Sequence, residues 1–248
     1  MSLVGEQYRS GDYYDRHEDY DLDAPFKAQE FVELFLPIAQ QRRLKIQSYA
    51  DVGCGGGRGT AAVADSLRAA GHPIERAIGY EISPHASALS ASGVEFRYED
   101  FTAAGETVDL VTLFDVFEHV PDPLSFLRKV ASQCDVMGLH IPLDDSWGNA
   151  ILNRYGNLMT DPGHLIYLDT ASALTMTAMA GIMVQRYAYT KPHRWPTSGY
   201  TVSQRIARPV RRLLTAINPW LAYKLVGGVS LMVVAMTPRG LSRITQAQ

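Results

Sequence analysis

The sequence predicts an α/β domain: a doubly wound, mostly parallel sheet of seven strands, preceded by an N-terminal lid and completed by a C-terminal insert. Short apolar strands alternate with helical patterns along the chain, which builds a parallel sheet covered by helices. The first strand runs into an acid and a glycine series, Asp51-Val52-Gly53-Cys54-Gly55-Gly56-Gly57. That is how a doubly wound sheet turns into its first helix.

The head is polar and rich in tyrosine (Tyr8, Tyr13, Tyr14, Tyr20), the composition of a lid or of a packed extension. Phe31, Leu34, Phe35 and Ile38 then recur at i, i+3, i+4 and i+7, one stripe of a helix. Strand one is expected over residues 46–52 and its helix over 60–70. Strand two covers 77–80 and ends at Glu81, with a helix over 84–92. Strands three, four and five are expected at 94–98, 108–114 and 136–141, with a helix over 124–133 between the last two. A long connection, 141–170, carries Trp147, Tyr155, His164 and Tyr167, and long loops in compact domains are usually functional. Strand six reads 183–189. A basic, aromatic-containing insert over 191–228 precedes the last strand, 229–237, so the sheet closes on a hairpin-like pair. Residues 217–236 are apolar and nearly of bilayer length, but Asn218-Pro219, Lys224 and Gly227-Gly228 interrupt them. A helix, a glycine turn and a strand fit better than a membrane span.

With 46% hydrophobic and 20% charged residues, the 248-residue chain can bury a sizeable core. A net charge of −3 argues against nucleic-acid binding through broad electrostatics. Two cysteines, Cys54 and Cys134, make no disulfide framework and suit the reducing cytoplasm. The first thirty residues lack the apolar core of a secretory signal.

The glycine turn lets the backbone approach a ligand without Cβ obstruction. The helix that follows aims free N–H groups and its positive dipole end at polar ligand atoms. Glu81, at the tip of strand two, is placed to accept both hydroxyls of a ribose. Asp100, at the tip of strand three, is placed to accept from adenine, and Phe101 to pack on its ring. Each acid alone is as readily a solvated strand end; the ordered series points to a nucleotide. A P-loop is excluded, because no Gly-Lys-Ser/Thr closes the turn. A dinucleotide register survives from Gly57 through Ala62 but leaves four extra residues after the strand.

Strand four continues as Phe114-Asp115-Val116-Phe117-Glu118-His119-Val120-Pro121-Asp122-Pro123. Together with Asp51 to Gly57, Glu81 and Asp100, this resembles the class I methyltransferases that use S-adenosylmethionine (SAM). Within them it looks most like the group that includes ubiquinone-biosynthesis O-methyltransferases. The resemblance covers residues 50–141 and implies a Rossmann-like methyltransferase fold with SAM as cofactor. It implies that Gly53 and Gly55 meet the methionyl part, Glu81 the ribose and Asp100 the adenine; Asp51, Cys54, Phe101 and Phe114 complete the expected cofactor set. The division expected is a lid over 1–44, a SAM-binding core over 45–141, and an acceptor loop, insert and final strands over 142–248. Two departures stand out. The Asn/Asp-Pro-Pro-Tyr/Phe run of amino methyltransferases acting on nucleic-acid bases or glutamine is replaced by Phe114-Asp115-Val116-Phe117, and Gln133-Cys134-Asp135 stands where a Lys-Pro-Gly turn is usual.

Methyl transfer from a sulfonium is an in-line displacement in which the protein aligns donor and acceptor. A hydroxyl acceptor adds the need for a base. Candidates are His164, His119 and Asp115, with His140 more readily a core residue. Asp115, Glu118 and His119, at i, i+3 and i+4, would converge on a divalent ion if helical, but helix capping explains them equally well, and no metal is assigned. The expected function is O-methylation of a small molecule. A nicotinamide-dependent oxidoreductase and a non-catalytic SAM-binding module are the alternatives. Arg205, Arg208, Arg211 and Arg212 beside Leu213, Leu214, Trp220 and Leu221 read as a solvated face over a core stripe, a peripheral membrane contact or a partner-binding segment. The oligomeric state and the acceptor are not legible.

Overall fold

A computed structural model of the protein describes residues 4–17, 21–191 and 202–246. Among them, seven strands form one sheet: β1 (Ser48–Val52), β2 (Arg76–Glu81), β3 (Glu95–Tyr98), β4 (Val108–Phe114), β5 (Cys134–Pro142), β6 (Met183–Tyr189) and β7 (Ser230–Met236), in the order β3-β2-β1-β4-β5-β7-β6. β1 to β5 pair in parallel, and β7 runs antiparallel between β5 and β6. The late antiparallel pair is the one the sequence suggested. The order reverses between β1 and β4, so ligands are expected outside their carboxyl ends.

The helices are α1 (Val4–Ser10), α2 (Asp12–Arg16), α3 (Ala24–Arg42), α4 (Arg58–Ala69), α5 (Pro123–Ser132), α6 (Trp147–Ile151), α7 (Tyr155–Thr160), α8 (Thr170–Met179), α9 (Val202–Ile217), α10 (Pro219–Val226) and α11 (Pro238–Gln246). One face of the sheet is covered by α3 and α4 through Phe31, Phe35, Ile38, Val63 and Leu67. The other packs against α5, α8 and α10 through Leu127, Val130, Ala173 and Tyr223. Gly138 of β5 shows how closely α3 lies: a Cβ there would stand 2.3 Å from the Phe31 ring.

Four expectations change. Within the presumed 1–44 lid, α3 is a core helix, because its apolar stripe has the sheet to bury against. The helix expected over 84–92 shrinks to a 3₁₀ turn, Pro84–Ala88, capped by Ser83; only Ala86 of it is buried, so no apolar stripe sustains it. The 141–170 connection carries α6 and α7 rather than open loop. Neither α8 nor α11 was foreseen. Residues 217–236 resolve into α10, the Gly227-Gly228 turn and β7, and no helix among the described residues is long and apolar enough to cross a membrane. Tyr20 and Trp195 lie outside the described residues, as do the side chains of Arg205, Arg208 and Arg211.

Candidate active site

At the carboxyl ends of the central strands the chain opens two adjoining cavities. One, of about 330 Å³, is lined by the glycine loop, Lys27, Asp115, His119 and His164. The other, of about 510 Å³, is lined by Glu81, Asp100, Phe101 and Val116. Gly53 and His119 border both, so one extended ligand can reach from either side.

The loop between β1 and α4 is held by β2: Gly53 and Cys54 N–H donate to the Tyr80 carbonyl at 2.8 and 3.0 Å. Gly53 and Gly57 have φ of +74° and +77°, and a Cβ would meet Val116 at 2.7 Å or Phe96 at 2.5 Å. Both therefore need glycine on conformational and steric grounds. Below the loop, buried Asp51 accepts from the hydroxyls of Thr60 and Thr112 at 2.7 and 2.6 Å, joining β1 to α4 and β4. Burial raises its carboxyl to about 6. Cys54 is buried beside it.

Glu81 joins the glycine loop to α2. Its Oε1 accepts from Ile82 and Ser83 N–H at 2.8 and 3.0 Å, and its Oε2 from Gly55 N–H at 3.1 Å and the Tyr14 hydroxyl at 2.9 Å. Burial pushes this carboxyl up, against those donors. At the far end, Asp100 Oδ1 accepts from Thr102 N–H and hydroxyl at 2.8 and 2.9 Å, and Phe101 meets Tyr80 edge-on at 5.0 Å between centroids. Phe114 packs edge-on to Phe31 and His140 and lines the smaller cavity.

The three candidate catalytic residues come together there, with His140. Asp115 holds a left-handed φ of 56°, strained for a non-glycine residue. Its oxygens are taken by His140 Nδ1 at 2.6 Å and Lys27 Nζ at 2.7 Å. Burial alone would raise the Asp115 carboxyl, but His140 and Lys27 hold it far below the usual range. His119 donates Nδ1–H to the Gly163 carbonyl at 3.1 Å. Burial, then the neighbouring His164, lowers its imidazole to about 4, so it is neutral at neutral pH. His164 Nδ1 lies 2.5 Å from Asp144 Oδ2, and its ring stands 4.8 Å from that of His119. Over these, α1 and α2 lay Tyr8, Tyr13 and Tyr14; the Tyr8 hydroxyl donates to the Pro162 carbonyl at 2.8 Å and stands 3.4 Å from the His119 ring nitrogens.

Sequence reasoning missed Lys27, Asp21, Asp23 and Asp144. Asp23 and Lys27 form an i,i+4 pair at 2.9 Å, visible as a spacing before the apolar stripe, and Asp144 lies just beyond the tip of strand five. Asp21, Asp23, Asp51 and Asp115 outnumber Lys27 in the smaller cavity, so the wall suits a cationic ligand. SAM, with its sulfonium and ammonium groups on a nucleoside, fits both the charge and the paired cavities.

The family model for a methyltransferase domain matches residues 16–189. The chain belongs to the methyltransferase-domain family. Over 98 residues this methyltransferase domain is 32% identical to a ubiquinone biosynthesis O-methyltransferase of Parvibaculum lavamentivorans, covering 37% of each chain. It is 35% identical over 98 residues to the protein of that name from Ruegeria pomeroyi, covering 37% of this chain and 38% of that one. The chain thus spans little more than a third of the length of these relatives. The crystal structure of magnesium protoporphyrin IX methyltransferase from Synechocystis PCC 6803 with bound S-adenosylhomocysteine (SAH) aligns at a TM-score of 0.58, covering 95% of this chain and 98% of that one. At 14% identity that likeness is one of fold. SAM is the cofactor of this family, and the match does not favour the nicotinamide register at Gly57, whose glycine Phe96 already explains.

Proposed function

We propose that the protein moves a methyl group from SAM to an oxygen atom of a small-molecule acceptor. The observation that carries this is the pair of imidazoles in the smaller cavity, His119 at its border with the larger one, each with Nδ1 tied to an oxygen: His164 to Asp144 and His119 to Gly163. That tautomer leaves Nε2 as the lone pair, the form a general base needs.

When bound, SAM supplies an electrophilic methyl group that leaves sulfur as the acceptor oxygen takes it, giving SAH. Gly53, Gly55, Glu81, Asp100 and Phe101 bind and orient the cofactor. Asp51 and Cys54 support the loop from below. His164 takes the hydroxyl proton at Nε2, with His119 second. Asp115, held ionised between Lys27 and His140, serves to fix those two groups and to face the positive sulfonium, not to accept a proton. Tyr8, Tyr13 and Tyr14 close over the reaction and exclude water.

The 141–170 segment supplies Pro162 and His164 to the cavity wall and, with the 191–228 insert, is read as the acceptor pocket. Lys224 of α10 braces it, donating to the Asp145 carbonyl at 3.0 Å and reaching Asp145 and Asp169 carboxylates at 3.2 and 3.5 Å. Leu213, Ile217 and Trp220 are exposed along α9 and α10 beside Arg212. Such a face suits peripheral contact with an anionic lipid surface and an apolar acceptor drawn from it. Cys54 and Cys134 are both buried and unpaired, consistent with the cytoplasm.

The test is turnover of methyl-labelled SAM against phenolic, carboxylate and amine acceptors. Label in an ether or ester is expected, and His164→Ala is expected to lower kcat with SAH affinity nearly unchanged. Label found only on nitrogen or carbon, or an unimpaired His164→Ala enzyme, contradicts the assignment.

A further inference from the structure

Glu118 has no task in the reading above, yet it is one of the most costly residues in the site. It is 2% exposed, and among the described residues neither carboxylate oxygen has a hydrogen-bond partner. A carboxyl group taken out of water without a partner is destabilising, so native chains rarely keep one unless a bound group completes it. Its oxygens face two imidazoles: one ligand atom from each of Glu118, His119 and His164 lies within 4.8 Å of the others.

We propose that Glu118, His119 and His164 form a binding site for a first-row divalent cation at the acceptor side of the cavity. Two imidazoles and one carboxylate suit first-row cations such as iron, cobalt or zinc better than calcium, and leave positions open for a further ligand. Small rotations of the side chains bring these atoms to the ~2.0–2.2 Å that metal–nitrogen and metal–oxygen bonds require.

The surroundings are those of a ligand set. A metal-bound histidine characteristically donates its other ring N–H to a carboxylate or a backbone carbonyl, fixing the ring. His164 has Asp144 in that position at 2.5 Å, and His119 has the Gly163 carbonyl at 3.1 Å. The two segments that bring the ligands are themselves joined, with Leu165 N–H donating to the Glu118 carbonyl at 2.8 Å. The 3₁₀ turn Phe117–His119 presents Glu118 and His119 as neighbours, and the turn after α7 returns His164 across from them.

This inference rests on the methyl-transfer reading for its consequence. In the cation-loaded protein His164 Nε2 is a ligand and no longer the base: an acceptor hydroxyl at an open position has its pKa lowered, leaves its proton in solvent as it binds, and attacks as its anion. An acceptor with two adjacent oxygens would then bind best, because it chelates.

The experiment titrates untagged, EDTA-stripped protein with Co²⁺ and Zn²⁺ alone, followed by cobalt absorption and calorimetry, with SAH binding measured in parallel. One cation per chain is expected. Glu118→Gln and His164→Ala are each expected to weaken it tenfold or more, and Asp144→Asn by ~10–100-fold, with SAH affinity within twofold of the parent. No stoichiometric binding in a protein that still binds SAH overturns the cation site and leaves the methyltransferase reading intact. Binding that persists in Glu118→Gln and His164→Ala is adventitious and overturns it equally. Loss of SAH binding in the parent would strike the functional reading, not the metal.

Discussion

Removing the Glu81 carboxylate tests the cofactor half of the site. Four donors converge on it: Ile82, Ser83 and Gly55 N–H and the Tyr14 hydroxyl. A ribose hydroxyl would have to join or displace them, and Tyr14 on Oε2 is the one side-chain donor among the four. A hydrogen bond to a charged group is worth ~1.5–3 kcal/mol, so Glu81→Ala should cost roughly tenfold to a hundredfold in SAH affinity. Tyr14→Phe removes only the competing donor and should leave affinity unchanged or higher. Calorimetry with SAH on both variants, with thermal melts to show that they fold, gives the comparison. A folded Glu81→Ala protein that binds SAH as tightly as the parent would refute the assignment and leave Glu81 as a brace for the glycine loop. Weakened binding in Tyr14→Phe would make the hydroxyl part of the cofactor site.

Two further outcomes concern the scaffold. Gly138→Ala drives a methyl group into the Phe31 ring and should cost ~1–3 kcal/mol by overpacking, read as a lower Tm in a thermal melt. An unchanged Tm would mean that α3 shifts freely. Glu106 accepts from Tyr80, Arg97 and Arg76 at 2.6, 2.8 and 3.0 Å. Burial alone would raise its carboxyl, but these bonds outweigh burial and bring it to about 2. Its folded pKa therefore lies below the ordinary ~4.3, so its stabilisation is complete above that value and is lost as pH falls toward 2. Glu106→Gln should be less stable by about 1 kcal/mol near neutral pH, a discounted figure for a partly exposed group, with the gap closing between pH ~4.3 and 2. A gap that stays constant across that window contradicts the linkage.

Most of the sheet was legible because its strands are near-continuous apolar runs punctuated by turns. β4 and β6 fall where the pattern placed them, and Asp51 to Gly57, Glu81 and Asp100 arrive at strand tips as the alternation requires. What was illegible lacked such a pattern. α8 buries only Ala173 and Thr177, so its start is set by the Asp169–Ser172 capping box and not by a stripe. α11 sets Leu241 and Ile244 against the core, a stripe too short to announce itself, and its Arg239 and Arg243 pair with Asp135, Arg243 also with Asp109, contacts that only the folded sheet brings together. In the site, His119 and His164 were visible as candidates, but their meeting was not: it depends on a return of the chain after α7. Glu118 reads equally as an ion ligand or a helix cap in the sequence; its burial without a partner shows only in the fold.

The central claim is that the two cavities at the glycine loop form a SAM site. Calorimetric titration of the purified protein with SAH and, separately, with NAD tests it most directly. The account predicts saturable one-to-one binding of SAH and none of NAD; binding of NAD with no heat from SAH would contradict it.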